Sequence, residues 1–382
     1  QGDGDAEAAG WQIGGAPTAI RPWLKLWRES PSACVVLTAG VTIPLTEGRP
    51  DPAHLARRIE MVGSRTGIGL YSGCGATGLH LAMRLRKSKP EHFAAHEACD
   101  PALDPNTEID TSWTRTPTEA ERAHAWVHVF DRAGSYLPAA NADFGIGEPI
   151  HTDQVSTKHL KLPGYVEIDI PENGNQFMPH PLDPNGRRSG TRRWVTTESL
   201  RFAHELGYDP DIHQGLIWPA KARVLEPWYE RMRDARTALL NDAGHDPDAA
   251  AALATIKAMY AQGIGMLASS NRVGRDGYAP ERRHIIVARS RCNILRLVNQ
   301  IGEKTGQWPI AAGTDAIAYV SDDPDPWSAW PGPPEKLGYK LGQFKPEESA
   351  ELTDELAAQF TGDRWRKTGF TPAPPRGEVK HG

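Results

Sequence analysis

One stretch of the sequence constrains the fold more than any other. The segments PIAA and AIAYV, within residues 309–320, lie on either side of a Gly-Thr-Asp turn. Two apolar segments joined by so short a connection predict a β-hairpin. The carboxylate of Asp315 would then lie at the tip of the hairpin. The question is why an acid is placed there.

A second acid follows a second predicted strand. The segment WVHVF at residues 126–130 is typical of a buried strand, and it runs directly into Asp131. Between the two acids, residues 226–267 predict two helices joined by a short connector, the second with Asp246 as N-cap and Pro247 at its first position. A further helix, ERRHIIVARSRCNILRLVNQIGEKTG, precedes the hairpin. This order allows two acids that are distant in sequence to meet on one sheet.

Length and composition favour a multidomain protein of the cytoplasm. A chain of 382 residues exceeds what one hydrophobic core usually supports, so we expect two or three compact units. The sequence contains no run of eighteen apolar residues that would predict a membrane span, and we expect no secretory signal, because no apolar segment of the signal-peptide type follows Gln1. The cysteines Cys34, Cys74, Cys99 and Cys292 match neither a disulfide framework nor a C-x-x-C zinc site, which favours a reducing compartment. We expect a cytoplasmic, nucleoid-associated protein.

Charge gives a mixed indication about nucleic acid. The formal net charge of -5 argues weakly against such a partner, because phosphate binding normally requires a basic surface. Arginines are nevertheless concentrated in two short segments, NGRRSGTRRW and RDGYAPERRHIIVARSRCN. These segments could contact DNA phosphates, or they could be an ordinary solvated loop and a charged helix.

The remaining patterns give a coarse domain order. Residues 29–90 combine apolar runs, the helical pattern PAHLARRIEMV and the glycine-rich stretch YSGCGATG, which we interpret as a turn in a small α/β unit. Residues 140–193 are rich in Gly, Pro, Asn and Arg, which predicts loops or a loosely structured insertion. The segment TTESLRFAHELG then predicts a helix with Thr197 as N-cap and Gly207 as its end.

Three motifs, in order, resemble those of family B DNA polymerases. From Asp131, D-R-A-G-S-Y-L resembles the palm motif D-x-x-S-L-Y-P. From Lys257, K-A-M-Y-A-Q-G-I-G is similar to the fingers motif K-x-x-x-N-S-x-Y-G, ending at Gly265, although its middle residues differ. The hairpin A-A-G-T-D-A resembles Y-x-D-T-D-S, with Gly313 in place of the first Asp and Ala316 in place of the Ser. The resemblance covers about residues 120–347, where LGYKLGQFKPE is similar to a segment near the start of the thumb.

The resemblance implies an α+β fold. It would contain a polymerase palm (an antiparallel sheet with helices on one face), helical-hairpin fingers, a short thumb and a small N-terminal α/β domain. The expected domains are an N-terminal domain at 1–115, a first palm segment with a loop-rich insertion at 116–215, fingers at 216–268, a second palm segment at 269–330, and a short thumb with a flexible tail at 331–382.

The resemblance also implies a metal site. Nucleotidyl transfer uses two Mg²⁺ (or Mn²⁺) ions about 3.5 to 4 Å apart, and such hard cations prefer carboxylate oxygens. Asp131 and Asp315 would be the catalytic ligands, with the peptide carbonyl of Arg132 as a further ligand. An acid at a hairpin tip could then face Asp131 across the sheet and hold the metal between them.

Other residues would bind the dNTP and the DNA, again by resemblance. Lys257 would contact the triphosphate, and Tyr136 would stack under the sugar and exclude a 2'-hydroxyl. Gly263 and Gly265 would let template bases approach the helix closely. The further nucleotide-binding residues are Arg132, Arg233 and Arg236, and the further DNA-binding residues are Arg282 and Arg283. Lys257, Ala261 and Gly265 recur every four residues, which predicts that they share one helix face.

The leading hypothesis is therefore a template-directed DNA polymerase acting on a primer-template. The resemblance extends to the protein-primed or telomere-associated branch, so a terminal protein is a further candidate partner. Ala39 and Val41 stand where exonuclease acids would be, which predicts no proofreading. The alternatives are a palm-fold DNA-binding scaffold with weakened catalysis, favoured by Gly313 and Ala316, and a two-acid hydrolase, which leaves Lys257 without a role. A zinc site at His92, His96 and Cys99, with Cys74 or His80, is a weaker alternative to a plain surface helix.

Overall fold

The structure, a computed structural model, divides into two compact units. It describes residues 12–14, 23–27, 34–38, 44–71, 73–85, 90–93, 97–361, 365 and 369–374. The first unit comprises residues 1–97 and 223–283, and the second comprises residues 98–222 and 284–382. None of the helices in these described ranges is both long and apolar enough to cross a membrane.

The elements are numbered along the chain. The helices are α1 (Pro52–Thr66), α2 (Cys74–Arg84), α3 (Asp100–Leu103), α4 (Glu119–Arg122), α5 (Tyr136–Ala139), α6 (Thr197–Glu205), α7 (Glu226–Leu240), α8 (Pro247–Met266), α9 (Pro280–Thr305) and α10 (Asp354–Ala358). The strands are β1 (Gln12–Gly14), β2 (Trp23–Trp27), β3 (Cys34–Thr38), β4 (Ser112–Thr114), β5 (Trp126–Arg132), β6 (Phe144–Ile146), β7 (Ile150–Thr152), β8 (Gly164–Asp169), β9 (Arg192–Thr196), β10 (Ile212–Ile217), β11 (Ala220–Ala222), β12 (Ala311–Gly313), β13 (Ala316–Ser321), β14 (Phe344–Glu351) and β15 (Thr371–Pro372).

The first unit combines a three-stranded antiparallel sheet, β1-β2-β3, with the helices α1, α2, α7 and α8. The predicted hairpin of α7 and α8 is confirmed, and Asp246 caps α8 by accepting hydrogen bonds from the backbone N–H groups of Asp248 and Ala249. The prediction of a turn at YSGCGATG is wrong, because this stretch opens helix α2. Its glycines allow close helix packing: a Cβ at Gly78 would lie only 2.0 Å from the carbonyl oxygen of Met259 in α8.

The second unit is built on a six-stranded antiparallel sheet with the order β15-β14-β5-β13-β12-β4. One face carries Phe130 and Ile317, which pack against Leu295 and Val298 of α9. The opposite face carries the small core of Val127, Val129, Ala316 and Ala318, covered in part by Leu356 and Phe360 from the end of the chain. Helical residues therefore pack on both faces of this sheet, whereas the sequence predicted helices on one face.

A second antiparallel sheet, β7-β10-β8-β9, and the two-stranded pair β11-β6 complete the second unit. The prediction that residues 140–193 form loops or a loosely structured insertion is only partly right: most of the range lies outside regular elements, but strands β6 to β9 begin within it. These strands are three to six residues long and are stabilised by pairing with distant segments, so the local composition gives little indication of them. Helix α6 is capped by Thr196, one residue before the predicted Thr197.

Candidate active site

Asp131 lies at the end of a buried central strand. Its neighbours Val129 and Phe130 are completely buried, and they anchor β5 between β13 and β14. In this register Asp131 stands opposite Ala316 on one side and Lys345 on the other. The side chain of Asp131 keeps 19% of its surface exposed. The strand therefore holds a partly accessible carboxylate at a fixed position.

Asp315 lies beside the same strand end. It immediately precedes β13, and its carbonyl oxygen accepts a hydrogen bond from the backbone N–H of Arg132 at 2.8 Å. The pairing of β5 with the hairpin thus continues through the residues next to both acids. The structure brings Asp131 and Asp315 to neighbouring ends of two paired strands, although 183 residues, 132 to 314, lie between them in the chain.

A lysine that the sequence did not single out is the ion-pair partner of Asp131. The Nζ atom of Lys345 lies 2.9 Å from Oδ2 of Asp131. Lys345 belongs to the segment LGQFKPE, whose similarity to a family segment gave no role to this residue. Only the register of β14 on β5, which no local pattern reveals, shows that the two charges face each other.

Arg132 adds a second positive charge, near Asp315. Its Nε atom donates to the carbonyl oxygen of Gly342 at 3.4 Å, and its Nη1 atom is buried without a partner among the described residues. Burial lowers the pKa of Arg132 to about 10, while the negative charge of Asp315 acts in the opposite direction. The guanidinium therefore remains charged at neutral pH.

Gly313, which stands where the resemblance places an acid, lies against an aromatic ring. Gly313 lies in β12, and a Cβ built there would lie 3.0 and 3.1 Å from two ring carbons of Trp365. Trp365 packs against the core that includes Val127 and Ala316, on the face to which Ala316 and its partner Asp131 belong. A side chain at position 313 would therefore require a small shift of the indole.

The donor set suits a hard divalent cation, but it is sparse. Asp131 and Asp315 would supply the carboxylate oxygens that Mg²⁺ and Mn²⁺ prefer. Within the described ranges, no group of three or more His, Cys, Asp or Glu side chains is arranged to hold a metal ion. Each acid also has a positive charge near it: Lys345 pairs with Asp131, and the charge of Arg132 interacts with that of Asp315. These residues fit one divalent cation better than a pair of closely spaced ones.

Tyr136 is fixed by a hydrogen bond. Gly134, with φ +63°, turns the chain after β5, and Tyr136 then begins the short helix α5. The hydroxyl of Tyr136 donates to the carboxylate of Asp110, and the ring is partly exposed. The aromatic residue expected beneath the sugar of a nucleotide is therefore close in sequence to Asp131 and held in place by an acid.

The predicted nucleotide-binding cations of the first unit differ in accessibility. Lys257, Ala261 and Gly265 are all exposed on α8, which confirms that they share one face. Arg236 is buried, with 3% of its surface exposed. Arg233 forms an ion pair with Asp234 at 2.8 Å. Lys257 is therefore the most accessible of the three cations.

The glycines expected to contact the template also differ. A Cβ at Gly263 would lie 3.3 Å from the backbone of Gly78, so Gly263 serves the packing of α8 on α2. A Cβ at Gly265 would meet nothing within 4 Å. Of these two glycines, Gly265 alone presents an open surface of the kind that a template base would need.

The two candidate DNA-binding arginines occupy different environments as well. Arg282 is buried, donates to the carbonyl oxygen of His92 and lies over the ring of Phe93, 5.1 Å from its centroid. Its guanidinium is thus used inside the first unit, and we do not retain it as a DNA contact. Arg283 is partly exposed. His96 of the alternative zinc site lies outside the described residues, as do Ala39 and Val41.

Comparison with solved structures gives an independent view of the fold. Phi29 DNA polymerase in complex with single-stranded DNA matches with a TM-score of 0.54 and 14% identity, over 78% of this chain and 55% of that chain. Its binary complex with primer-template DNA gives 0.52 and 13% over the same shares. Its ternary complex with incoming nucleotide substrates gives 0.51 and 13%, over 76% of this chain and 55% of that chain.

The fold resembles that of phi29 DNA polymerase. At this level of identity the likeness concerns the fold alone, and the chain spans about half the length of the phi29 enzyme. No protein-family model matches the sequence, and no curated protein matches it.

Proposed function

We propose that the protein is a template-directed DNA polymerase that transfers nucleotides to a primer 3'-hydroxyl or to the hydroxyl of a protein primer. The observation that carries the proposal is the placement of Asp131 and Asp315 at neighbouring ends of paired strands. The likeness of the fold to phi29 DNA polymerase supports it, because that protein has been seen with primer-template DNA and incoming nucleotides.

The chemistry follows from the residues at the strand ends. Asp131 and Asp315 would hold Mg²⁺ or Mn²⁺, and a bound divalent ion stabilises developing phosphoryl charge and activates an attacking hydroxyl. Arg132 would add a fixed positive charge beside the nucleotide. Tyr136 would lie under the sugar, where its bond to Asp110 keeps the ring in one orientation.

The remaining contacts are proposed by resemblance and supported by exposure. Lys257 would bind the triphosphate of the dNTP, and Gly265 on the same exposed face of α8 would pass close to the template. We propose a DNA primer-template as the main partner and a terminal protein as a further candidate primer. We also propose that the protein lacks proofreading.

The test is primer extension on a labelled primer-template with all four dNTPs and Mg²⁺ or Mn²⁺. Asp315→Asn should reduce template-dependent extension by about 1,000-fold, because it removes a metal-binding charge while preserving shape. Asp322→Asn is the matched control: it changes an exposed aspartate just beyond the far end of β13 and should leave extension unchanged. Equal extension by the wild type and Asp315→Asn would refute the proposal.

A second candidate is a DNA-binding scaffold with little catalysis. It is favoured by Gly313, whose missing acid is replaced by contact with Trp365. This candidate predicts retained DNA binding with no extension by the wild type, on an oligonucleotide primer or on a protein primer with a free hydroxyl. Any template-dependent extension that Asp315→Asn abolishes would exclude it.

A further inference from the structure

The ion pair between Lys345 and Asp131 is not used by the chemistry proposed above. We propose that the ammonium group of Lys345 takes the place of one divalent cation at Asp131, so that the site binds a single divalent ion. The inference deepens the proposed function and rests on it for the assignment of Asp131 and Asp315 as metal ligands.

The strand register makes the ammonium a built-in component of the site. Lys345 stands directly opposite Asp131, and cross-strand neighbours of this kind have Cβ atoms about 5 Å apart. The side chains of Lys345 and Asp131 are only 26% and 19% exposed, so both are largely held by their surroundings. The pair uses Oδ2 and leaves Oδ1 of Asp131 without a protein partner among the described residues. One oxygen thus remains for a single ion.

The balance of charge at the strand ends favours one divalent ion over two. By formal charge, the two carboxylates are matched by two basic side chains: Lys345, which pairs with Asp131, and Arg132, whose charge interacts with that of Asp315. The four groups are therefore close to neutral before any metal binds. A first divalent ion would leave an excess of positive charge, and a second would be repelled by the first, by Lys345 and by Arg132. The described residues include no third carboxylate grouped with these two acids to compensate a second ion.

The neighbouring strand cannot easily supply the lacking carboxylate. Position 313, at the end of β12, is glycine, and a Cβ there would lie 3.0 Å from the ring of Trp365, so that an acid would require the ring to shift. Position 313 has no acid, and Lys345 adds a positive charge. Both reduce the capacity of the site for a second divalent ion.

Mn²⁺ binding measured by electron paramagnetic resonance, without DNA or nucleotide, tests the inference. The variants are Lys345→Met, which removes the charge but keeps an unbranched side chain, and Lys340→Met, which changes an exposed lysine five residues away. We expect the wild type and Lys340→Met to bind one Mn²⁺ per chain. Lys345→Met should bind a second ion, or bind the first about tenfold more tightly, since a repelling charge is gone.

Two further variants protect the test against a folding artefact. Lys345→Arg keeps the charge and should bind Mn²⁺ as the wild type does. Asp131→Asn introduced into Lys345→Met should remove the gained binding, and thermal unfolding would check that each variant is folded. Equal stoichiometry and affinity in the wild type, Lys345→Met and Lys340→Met, whatever the number of ions, would overturn the inference.

Primer extension tests the proposed function, and Mn²⁺ binding tests the role of Lys345, so that either can fail without the other. If primer extension fails while Lys345→Met gains Mn²⁺ affinity, polymerase activity is refuted and the role of Lys345 stands. If extension succeeds while the wild type binds two Mn²⁺ ions and Lys345→Met changes nothing, the polymerase stands and the role of Lys345 is refuted.

Discussion

Two aspartates, one in each unit, pair with positively charged side chains but differ in how completely they are buried and bonded. In the first unit, Asp248 near the start of α8 receives hydrogen bonds from His54 at 2.6 Å, Arg57 at 3.0 Å and Arg58 at 2.7 Å. Its side chain is only 1% exposed. The bonds from His54 and Arg58 hold the pKa of the Asp248 carboxyl well below its usual range. Every oxygen of this carboxylate is used to join α1 to α8.

In the second unit, Asp131 pairs with the cation of Lys345, and 19% of its side chain remains exposed. The difference shows how the same residue type serves two purposes. A carboxylate with both oxygens bonded to protein cations stabilises the fold and has no capacity left for a ligand. A carboxylate with an unused oxygen and a solvent-accessible side is suited to binding a metal ion. Measuring stability and activity separately therefore tests whether the two aspartates differ in this way.

The largest expected effect is on the activity of Asp131→Asn. Extension should fall about 1,000-fold, because the amide cannot replace a charged metal ligand. The free energy of unfolding should change by less than about 1 kcal/mol, because the site is partly exposed. Primer extension and urea denaturation of the same preparation check both values. If Asp131→Asn stays active, or is destabilised as much as an Asp248 variant, the proposed difference between the two aspartates is wrong.

The next effect is on the stability of Asp248→Ala. Its partner Arg58 is 8% exposed and would keep its bonds to the carbonyl oxygens of Leu45 and Glu47 while losing the carboxylate that balances its charge. An unpaired buried charge of this kind costs about 3 kcal/mol. Urea denaturation measures the change, with Asp153→Ala, an 82% exposed aspartate, as the control. A loss below about 1 kcal/mol would show that the cluster is not structural.

Two glycines sharpen the contrast between closed and open surfaces within the first unit. Gly78→Ala should cost about 2 to 3 kcal/mol, because its Cβ would overlap the backbone of Met259. Gly265→Ala should be neutral or stabilising by up to about 1 kcal/mol, because its Cβ enters open space on a helix. Thermal unfolding compares the two directly. Equal destabilisation by both substitutions would contradict the packing of α2 on α8.

The smallest effect concerns pH. The hydrogen bond to Asp248 raises the pKa of His54 above its ordinary value of 6.5. The contribution of His54 is therefore complete below about pH 6.5 and is lost as pH rises through the higher folded pKa. Asp248 has the opposite sign, and its contribution is lost only as pH falls below about 3.9.

The measurement is the Tm of the wild type and of His54→Gln between about pH 6 and 9. The wild-type Tm should decline relative to that of the variant as pH rises, because only the wild type loses the charged histidine. Parallel curves for the two proteins would remove His54 from the cluster.

The sequence alone predicted the elements whose formation depends on residues close together in the chain. The apolar run before Asp131, the turn before Asp315 and the cap and proline at Asp246 and Pro247 each depend on neighbouring residues, and the structure contains all three elements. The coarse likeness to a DNA polymerase fold was also predicted from motifs that span only a few residues each.

The rest depends on contacts between distant segments. The approach of Gly78 to Met259 makes a glycine-rich stretch helical, although its composition indicates a turn. The register of β14 sets Lys345 against Asp131, and the ring of Trp365 covers Gly313. No local pattern predicts which residues meet across a sheet, so the sequence identified the two acids and missed the cation beside them.

The most direct test of the central claim is a double-mutant cycle in primer extension with Asp131→Asn, Asp315→Asn and the combined variant. If the two acids hold one ion together, each single substitution should remove nearly all activity and the double variant should be no worse than either. Losses that multiply independently in the double variant, or a single variant that keeps most of its activity, would contradict a shared metal site.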